Sequence, residues 1–350
     1  MIPHPSDLTG LHTAAPPIYS ARFLIKEDRR SLLTFAAALS LPFVSPVSSA
    51  KDAVRLVVPF PAGGGGDTLA RSVTTALAAA LKTSLWVDNR PGAGGTVGTR
   101  HVAQDKKDGS VLGYVTNGIL CVNSLLYPNL KFDPAKELIP VGRISEIGMV
   151  AVLNPRAIPG VTDLKSLLAY AKAHPGTVNF ASSGVGTSSH LAGLLFAEKA
   201  GIRLTHIPYR GGAAAMTDVL SGRIPLMIDV APNVLGHVRA GTLKALGAST
   251  KARLAAAPEI PTLIEEGLAG FEISAWDGLV LPAGTPWSVV ERVSKALQSA
   301  LADPAVQQSL AKKGAEVRPG TPQDFFNFIE SESPKWAALV KAVKAEESQK

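Results

Sequence analysis

The chain has 350 residues, of which 46% are hydrophobic and 18% are charged. This composition is typical of a folded globular protein with two domains or one large one, and it excludes an intrinsically disordered chain. The formal net charge is +7 at pH 7, but the basic residues form no stripe interleaved with aromatic residues, which excludes a nucleic-acid-binding surface.

The first 50 residues have the layout of a secretory signal. The pair Arg29-Arg30 precedes the apolar run SLLTFAAALSLPFV, which the small residues Ser48-Ser49-Ala50 follow. We therefore expect a signal peptide over residues 1–50, cleavage near Ala50 and an exported mature protein. The paired arginines fit the twin-arginine route as well as the ordinary secretory route. A membrane anchor is the alternative, which the shortness of the apolar run disfavours.

From Val54 onward, patterns typical of strands alternate with patterns typical of helices. The predicted strands are Val54–Val58, Leu85–Asn89, Val111–Thr116, Val141–Leu153, Val178–Ala181, Arg203–Ile207, Leu226–Asp229, Leu243–Ala248 and Ile273–Leu281. The predicted helices are Asp67–Leu81, Gly95–Ala103, Asp163–Ala173, Ser188–Ala200, Ala213–Ser221, Asn233–Ala240, Pro286–Ala302, Pro304–Lys313 and Pro322–Val343. This alternation predicts an α/β fold in which mostly parallel sheets are flanked by helices.

A unit of strand, glycine-rich turn and helix occurs twice, at residues 54–81 and again at 178–200. Two equivalent units in one chain predict two lobes that face each other. The long strands Val141–Leu153 and Ile273–Leu281 are the expected crossovers, after which the last helices return to the first lobe. We therefore expect a first lobe over 51–150 and 276–350, and a second over 151–275.

Each glycine-rich turn directs free backbone N–H groups toward one point at a helix N-terminus, which favours an anion. The anion is not a nucleotide, because Asp67 follows Gly66 where a phosphate loop needs lysine. The dinucleotide fingerprint also fails, since Thr68 occupies the third glycine position. The seven histidines are scattered along the chain, so no metal site and no cofactor are expected.

A carboxylate follows one of the predicted inner strands. Asp229 ends the run LMID, and a side chain at the carboxyl end of such a strand points into the ligand crevice. Capping the helix from Asn233, or bracing a loop, is an equally open role.

The alternative function is a secreted α/β enzyme acting on a small carboxylate, with Ser183, His190 and Asp229 as its site. The absence of a Gly-x-Ser-x-Gly elbow argues against it, and His190 is better explained as a buried histidine under the loop.

Several blocks together resemble the tripartite tricarboxylate transporter substrate-binding proteins, also called Bug receptors. The blocks are VPFPAGGGGD, DNRPGAGGTVG, AQDKKDGSVLGY, SSGVGTSSHL, HIPYRGGAAAMTDVLSGRIPLMID and LPAGTP, and they span about residues 53–340 in the family's order. The resemblance implies a periplasmic solute receptor with a two-lobed Venus flytrap fold and no catalysis. It implies a small organic acid as ligand, membrane transporter subunits or a sensor as partner, and a monomer.

The resemblance also implies that two loops grip one carboxylate of the acid. Matched by motif, the ligand-binding residues are Phe60, Pro61, Ala62, Gly63, Gly64 and Asp67, then Ser182, Ser183, Gly186, Thr187 and Ser188, with Asp229 at the distal, selectivity-setting end. Backbone N–H groups and the hydroxyls of Thr187 and Ser188 can hold a carboxylate without a buried arginine, at roughly 1.5–3 kcal/mol for each bond. Gly65 and Gly66 replace residues that are commonly bulkier in the family, which is expected to loosen the first loop.

Overall fold

The computed structural model describes residues 53–127, 130 and 132–347. The predicted signal peptide, residues 1–50, and its cleavage near Ala50 lie outside the described residues. Within the described residues, none of the helices combines the length and the apolar character that crossing a membrane requires.

The elements alternate along the chain as the sequence predicts. The strands are β1 (Val54–Val58), β2 (Leu85–Asn89), β3 (Val111–Thr116), β4 (Leu138–Ile147), β5 (Met149–Leu153), β6 (Asn179–Ser182), β7 (Thr205–Pro208), β8 (Leu226–Val230), β9 (Lys244–Ala248), β10 (Ala275–Pro282) and β11 (Ala315–Val317). The helices are α1 (Gly65–Leu81), α2 (Thr96–Ala103), α3 (Asn123–Leu126), α4 (Pro134–Glu137), α5 (Leu164–Ala173), α6 (Ser188–Ala200), α7 (Gly212–Leu220), α8 (Ala231–Arg239), α9 (Trp287–Ala302), α10 (Pro304–Lys312) and α11 (Pro322–Glu347). A 3-10 turn at Ala93–Gly95 and a π-helical turn at Gly118–Val122 complete the set.

Two separate sheets form the centres of two lobes. In the described chain, the first sheet has the strand order β11-β4-β10-β3-β1-β2, and the second has the order β7-β6-β8-β5-β9. β10 and β11 run against the other four strands of the first sheet. In the second sheet, only β5 is reversed among the described strands. Most strands in each sheet run in one direction, but five of the nine described strand pairings are antiparallel, so both sheets are mixed rather than mostly parallel. The predicted α/β fold of two lobes, each with a sheet flanked by helices, is confirmed.

The strand predicted over Val141–Leu153 is wrong, because the chain changes sheet in its middle. β4 belongs to the first sheet and β5 to the second, and Gly148 separates them. Gly148 makes its backbone bonds outside both ladders, to Gly314 and Ala231. A β-carbon at Gly148 would clash with the side chain of Leu254. The apolar run is continuous in sequence, so only the packing around Gly148 divides it.

The functional edge of each sheet follows from strand direction. β1 and β3 in the first sheet, and β6 and β8 in the second, end at the edges where α1, α6 and α8 begin. α1 is held against its sheet by Leu69, Val73 and Leu77, which are spaced by four residues and fully buried. Its N-terminus is thereby fixed beside the end of β1.

Candidate functional site

A cavity lies between the carboxyl ends of the two sheets. It encloses about 60 Å³, which is room for a few water-sized groups. The first lobe contributes Phe60, Pro61, Gly64, Gly65, Gly66, Leu69, Tyr114, Thr116, Ile147 and Ala275 to its wall, and the second contributes Ser183, Thr187, Ser188, Ser189, Gly212, Asp229 and Val230. We call this space the inner cavity.

Two helix N-termini face the inner cavity, one from each lobe. α1 begins after Gly64 and α6 begins after Thr187, and among the described residues neither start is capped by a side-chain hydrogen bond. The backbone N–H groups of the first helical turn have no acceptor within their own helix. Together with the helix dipoles, these groups create a partial positive charge at the cavity wall. The arrangement suits an anion held by both lobes at once.

The first loop, residues 59–64, is braced by Asp67. The Asp67 carboxylate accepts hydrogen bonds at 2.9 Å from the backbone N–H of Gly63, from Arg71 Nε and from Asn89 Nδ2. Asn89 also donates to the carbonyl of Phe60 at 2.9 Å. Burial opposes ionisation of Asp67, but these hydrogen bonds outweigh it and lower its pKa. The carboxylate therefore orders the loop that carries the grip.

The hydroxyls at the end of the second loop, residues 183–187, and at the start of α6 already donate within the protein. The hydroxyl of Thr187 donates to the carbonyl of Gly184 at 2.6 Å, and the hydroxyl of Ser188 donates to Asn117 Oδ1 at 2.9 Å. Carbonyl oxygens can only accept, so both hydroxyl hydrogens are already used. To donate to a carboxylate, these two hydroxyls would have to exchange the bonds that they make within the protein. The backbone N–H groups at the start of α6 need no such exchange.

The Ser188–Asn117 bond also joins the two lobes, and glycines allow close approach around it. Gly118 follows Asn117, and a β-carbon there would lie 2.6 Å from the carbonyl oxygen of Gly186. Gly94 approaches the carbonyl of Val185 equally closely, at 2.6 Å from its virtual β-carbon. The lobes thus meet backbone against backbone.

Gly65 and Gly66 do not loosen the first loop, contrary to the expectation from sequence. A β-carbon at Gly65 would clash with the Val230 side chain of the other lobe, and one at Gly66 would lie 2.7 Å from the Phe60 ring. Neither position has space for a larger residue. Both glycines are tightly packed.

Asp229 lines the inner cavity and already accepts three hydrogen bonds from the protein, one fewer than a carboxylate can accept. Its Oδ1 accepts from the backbone N–H of Val230 at 2.9 Å, and its Oδ2 accepts from Asn233 Nδ2 at 2.6 Å and from Ser183 Oγ at 3.2 Å. Burial raises the pKa of Asp229 to about 6, although these three hydrogen bonds act to lower it. A β-carbon at Gly212 would lie 2.8 Å from Oδ2, so the carboxylate fills this corner.

A second buried carboxylate supports the cavity wall from behind. Tyr114 donates its hydroxyl to Asp277 at 2.6 Å, and Ser145 donates to the other oxygen through its N–H and its hydroxyl. Burial raises the pKa of Asp277 to about 6 against these bonds. Since the Tyr114 hydroxyl donates to Asp277, Tyr114 contributes its aromatic ring to the cavity wall. There the ring packs edge-to-face with Phe60.

The histidines near the second loop are structural. His190 stacks on His206 with ring centroids 4.0 Å apart, and its Nδ1 accepts from the N–H of Gly186. Burial lowers the pKa of His190 to about 3 and that of His206 to about 4, so both rings are neutral at pH 7. His206 Nε2 lies 2.6 Å from the Ser182 hydroxyl, which is fully buried. No Ser183–His190 bond is found among the described residues, so the alternative catalytic site is not assembled.

The predicted ligand-binding residues fall into two groups. Those that line the inner cavity are Phe60, Pro61, Gly64, Ser183, Thr187, Ser188 and Asp229. The others lie outside its wall: Ala62 and Gly63 are exposed, whereas Asp67, Ser182 and Gly186 are buried behind the loops. The described residues contain no cluster of His, Cys, Asp or Glu suited to a metal ion.

Sequence reasoning missed several supporting side chains. Asn89, Asn117 and Tyr114 lie in or directly after first-sheet strands whose carboxyl ends meet at the ligand edge. That position was the available signal, because polar residues at such strand ends face the crevice. Arg71 has a different signal, since it lies four residues after Asp67 in α1, the spacing of an ion pair within a helix. Asn233 lies inside α8 and has no comparable signal.

Comparisons with known proteins agree with this architecture. Residues 69–345 match the model of the tripartite tricarboxylate transporter family receptor. The structure titled periplasmic binding protein BugD has a TM-score of 0.78 at 34% identity, covering 83% of this chain and 97% of its own. An R. palustris protein, Rpa4515 with adipate, has a TM-score of 0.79 at 31% identity, covering 82% and 96%. MatC from Rhodopseudomonas palustris, with bound malate, has a TM-score of 0.77 at 31% identity, covering 82% and 98%.

These family members and structural neighbours are solute-binding receptors and not enzymes. The family match covers most of the chain, including the second loop and most of both lobes. The chain therefore belongs to the tripartite tricarboxylate transporter receptor family, the periplasmic solute-binding proteins that include BugD.

Proposed function

We propose that this protein binds a small organic acid in the inner cavity, through one carboxylate held by the N-termini of α1 and α6. The observation that carries the proposal is the pair of helix starts, one from each lobe and neither capped by a side chain, on one cavity wall. A carboxylate placed there would receive charge-assisted bonds from both lobes and so link them. The related proteins with adipate and malate support a carboxylate as the shared ligand group.

We further propose export to the periplasm as a monomer, with a signal peptide cleaved near Ala50. Occupancy would be read by membrane transporter subunits or by a sensor, because an acid that bridges both lobes favours the closed state. The protein would bind the acid and release it chemically unchanged.

The test is a thermal-shift panel of mono- and dicarboxylates, including acetate, propionate, malate and adipate. An acid at a hundredfold excess over its dissociation constant is expected to add about 2.7 kcal/mol to the free energy of unfolding. The bound acid is expected to be recovered unchanged. If no acid in the panel raises the melting temperature, the proposed function is wrong.

We propose that Asp229 selects for a hydrogen-bond donor on the part of the acid that lies within the inner cavity, beyond the first carboxylate. β-Alanine is propionate with a terminal ammonium group, a charged hydrogen-bond donor, so β-alanine is expected to bind more tightly at pH 7.5. With a pKa of about 6, Asp229 is mostly ionised at pH 7.5 and mostly protonated at pH 5.5. The preference for β-alanine is therefore expected to fall about fourfold between these values.

Calorimetric titration of both acids at the two pH values measures this preference. Asp229→Asn keeps the shape of the side chain and is expected to remove the pH dependence. If the variant merely melts at lower temperature and keeps the preference, Asp229 has only a bracing role.

A further inference from the structure

A second chamber adjoins the inner cavity at the two loops. It encloses about 190 Å³ and shares Phe60, Pro61 and Ser183 with the inner cavity as wall residues. We call it the outer chamber. The first lobe adds the turn around Gly92–Gly95, and the second adds the strand end at Pro208–Gly211. Both lobes therefore close around this space as well.

The outer chamber carries a positive charge. Arg210 is the one residue with a formal charge among the described residues that line it. Arg210 is exposed, and within the described part of the chain its guanidinium has no ion-pair partner. The neighbouring Tyr209 donates its hydroxyl to Asp218 at 2.6 Å, but that carboxylate is already paired with Arg223 at 3.1 Å. Nothing described in the chamber wall neutralises Arg210.

The two chambers differ in the charge that they present. Asp229 places a carboxylate in the inner cavity, which disfavours a second anionic group of the ligand there. The inner cavity is also small, at about 60 Å³. An acid too long for the inner cavity would extend past Phe60 and Ser183, wall residues that the two chambers share, toward the outer chamber.

We propose that Arg210 binds a second anionic group of an elongated acid and thereby selects such an acid over a monocarboxylate of equal length. The inference rests on the proposed function, because the first carboxylate is taken to lie at the starts of α1 and α6. A guanidinium can form two parallel hydrogen bonds to a carboxylate, a geometry that lysine does not reproduce. Arg210 is thus a specificity residue, whereas the helix starts supply the common grip.

The test uses two pairs of acids that differ only in the second carboxylate: succinate with butyrate, and adipate with hexanoate. Calorimetric titration of the wild type is expected to give tighter binding of the diacid in at least one pair. Arg210→Gln is expected to weaken that diacid by about ten- to a hundredfold, while the monoacid changes less than about twofold. Arg210→Lys is expected to recover part of the loss.

Arg203→Ala is the matched control, because Arg203 is exposed on the same lobe and lies outside both chambers. It removes the same charge and is expected to leave both affinities unchanged. An Arg210→Gln variant that keeps the preference for the diacid would overturn the role of Arg210, as would equal weakening of both acids or an equal effect of Arg203→Ala. If monoacids bind as tightly as diacids to the wild type, Arg210 has no selective role but the carboxylate grip stands. If none of the four acids binds, the grip and the Arg210 proposal both fail.

Discussion

Gly118→Ala is expected to lower the affinity for the bound acid by at least about 100-fold while leaving the fold intact. A β-carbon at Gly118 would lie 2.6 Å from the carbonyl oxygen of Gly186 and 3.4 Å from Cα of Thr187. Both contacts are with backbone at the start of α6, so no rotamer change relieves them and the second lobe must move away. A loss of about 2.7 kcal/mol from the closed state corresponds to a 100-fold rise in the apparent dissociation constant.

Calorimetry with the acid that gives the largest thermal shift measures this effect, and small-angle scattering reports whether the lobes close. Gly236→Ala is the matched control, because a β-carbon at Gly236 meets no atom within 4 Å. Gly236 lies inside α8, so alanine is expected to add about 0.5–1 kcal/mol of stability without changing affinity. Closure of the Gly118→Ala variant with wild-type affinity would contradict the role assigned to this contact.

These contacts show a second role for glycines near the loops, which is to let the two lobes approach each other closely. Gly65, Gly94 and Gly118 each have backbone or side-chain atoms of the other lobe where a β-carbon would stand. Their small size therefore allows the lobes to meet, in addition to exposing N–H groups at the start of α1. A receptor that grips a ligand through backbone groups needs such close approach, because N–H groups cannot reach out as side chains do.

Local patterns predict the fold well because they report local physics. Strand–helix alternation, the glycine turns after β1 and β6, and the apolar face of α1 are all visible in short windows of sequence. The ends of the predicted elements agree with the structure within four residues, apart from the division at Gly148. The short elements α3, α4 and β11 were not predicted, because three or four residues carry too little periodicity.

The hydrogen bonds between side chains of the site could not be predicted in the same way. Asn89 reaches Asp67 because β2 lies beside β1, and Asn117 reaches Ser188 because the two lobes face each other. These pairs are far apart in sequence, and only the folded arrangement brings them together. The bond from the Ser188 hydroxyl to Asn117 is one such pair, so the local sequence around Ser188 does not reveal it.

Asp67→Asn is expected to lower the free energy of unfolding by about 2–4 kcal/mol. The carboxylate is 2% exposed and accepts from Gly63, Arg71 and Asn89. An amide offers one acceptor oxygen and turns its NH₂ group toward groups that are themselves donors. The buried NH₂ group then faces donors instead of acceptors, and leaving a buried polar group unsatisfied is the costly side of hydrogen bonding. Chemical denaturation at pH 7 measures the loss.

The pH dependence and a companion variant separate this role from a general effect of charge. The pKa of Asp67 is lowered in the folded state, so the stability it contributes is present above its unfolded pKa and is lost as pH falls below about 4. The difference between wild type and Asp67→Asn is therefore expected to shrink in that range. Arg71→Gln is expected to cost only about 1 kcal/mol, because the Arg71 side chain is 49% exposed and Asp67 keeps its other donors. Since Asp67 holds the loop at the start of α1, its loss is also expected to weaken acid binding, and an Asp67→Asn variant with wild-type stability and affinity would remove Asp67 from the site.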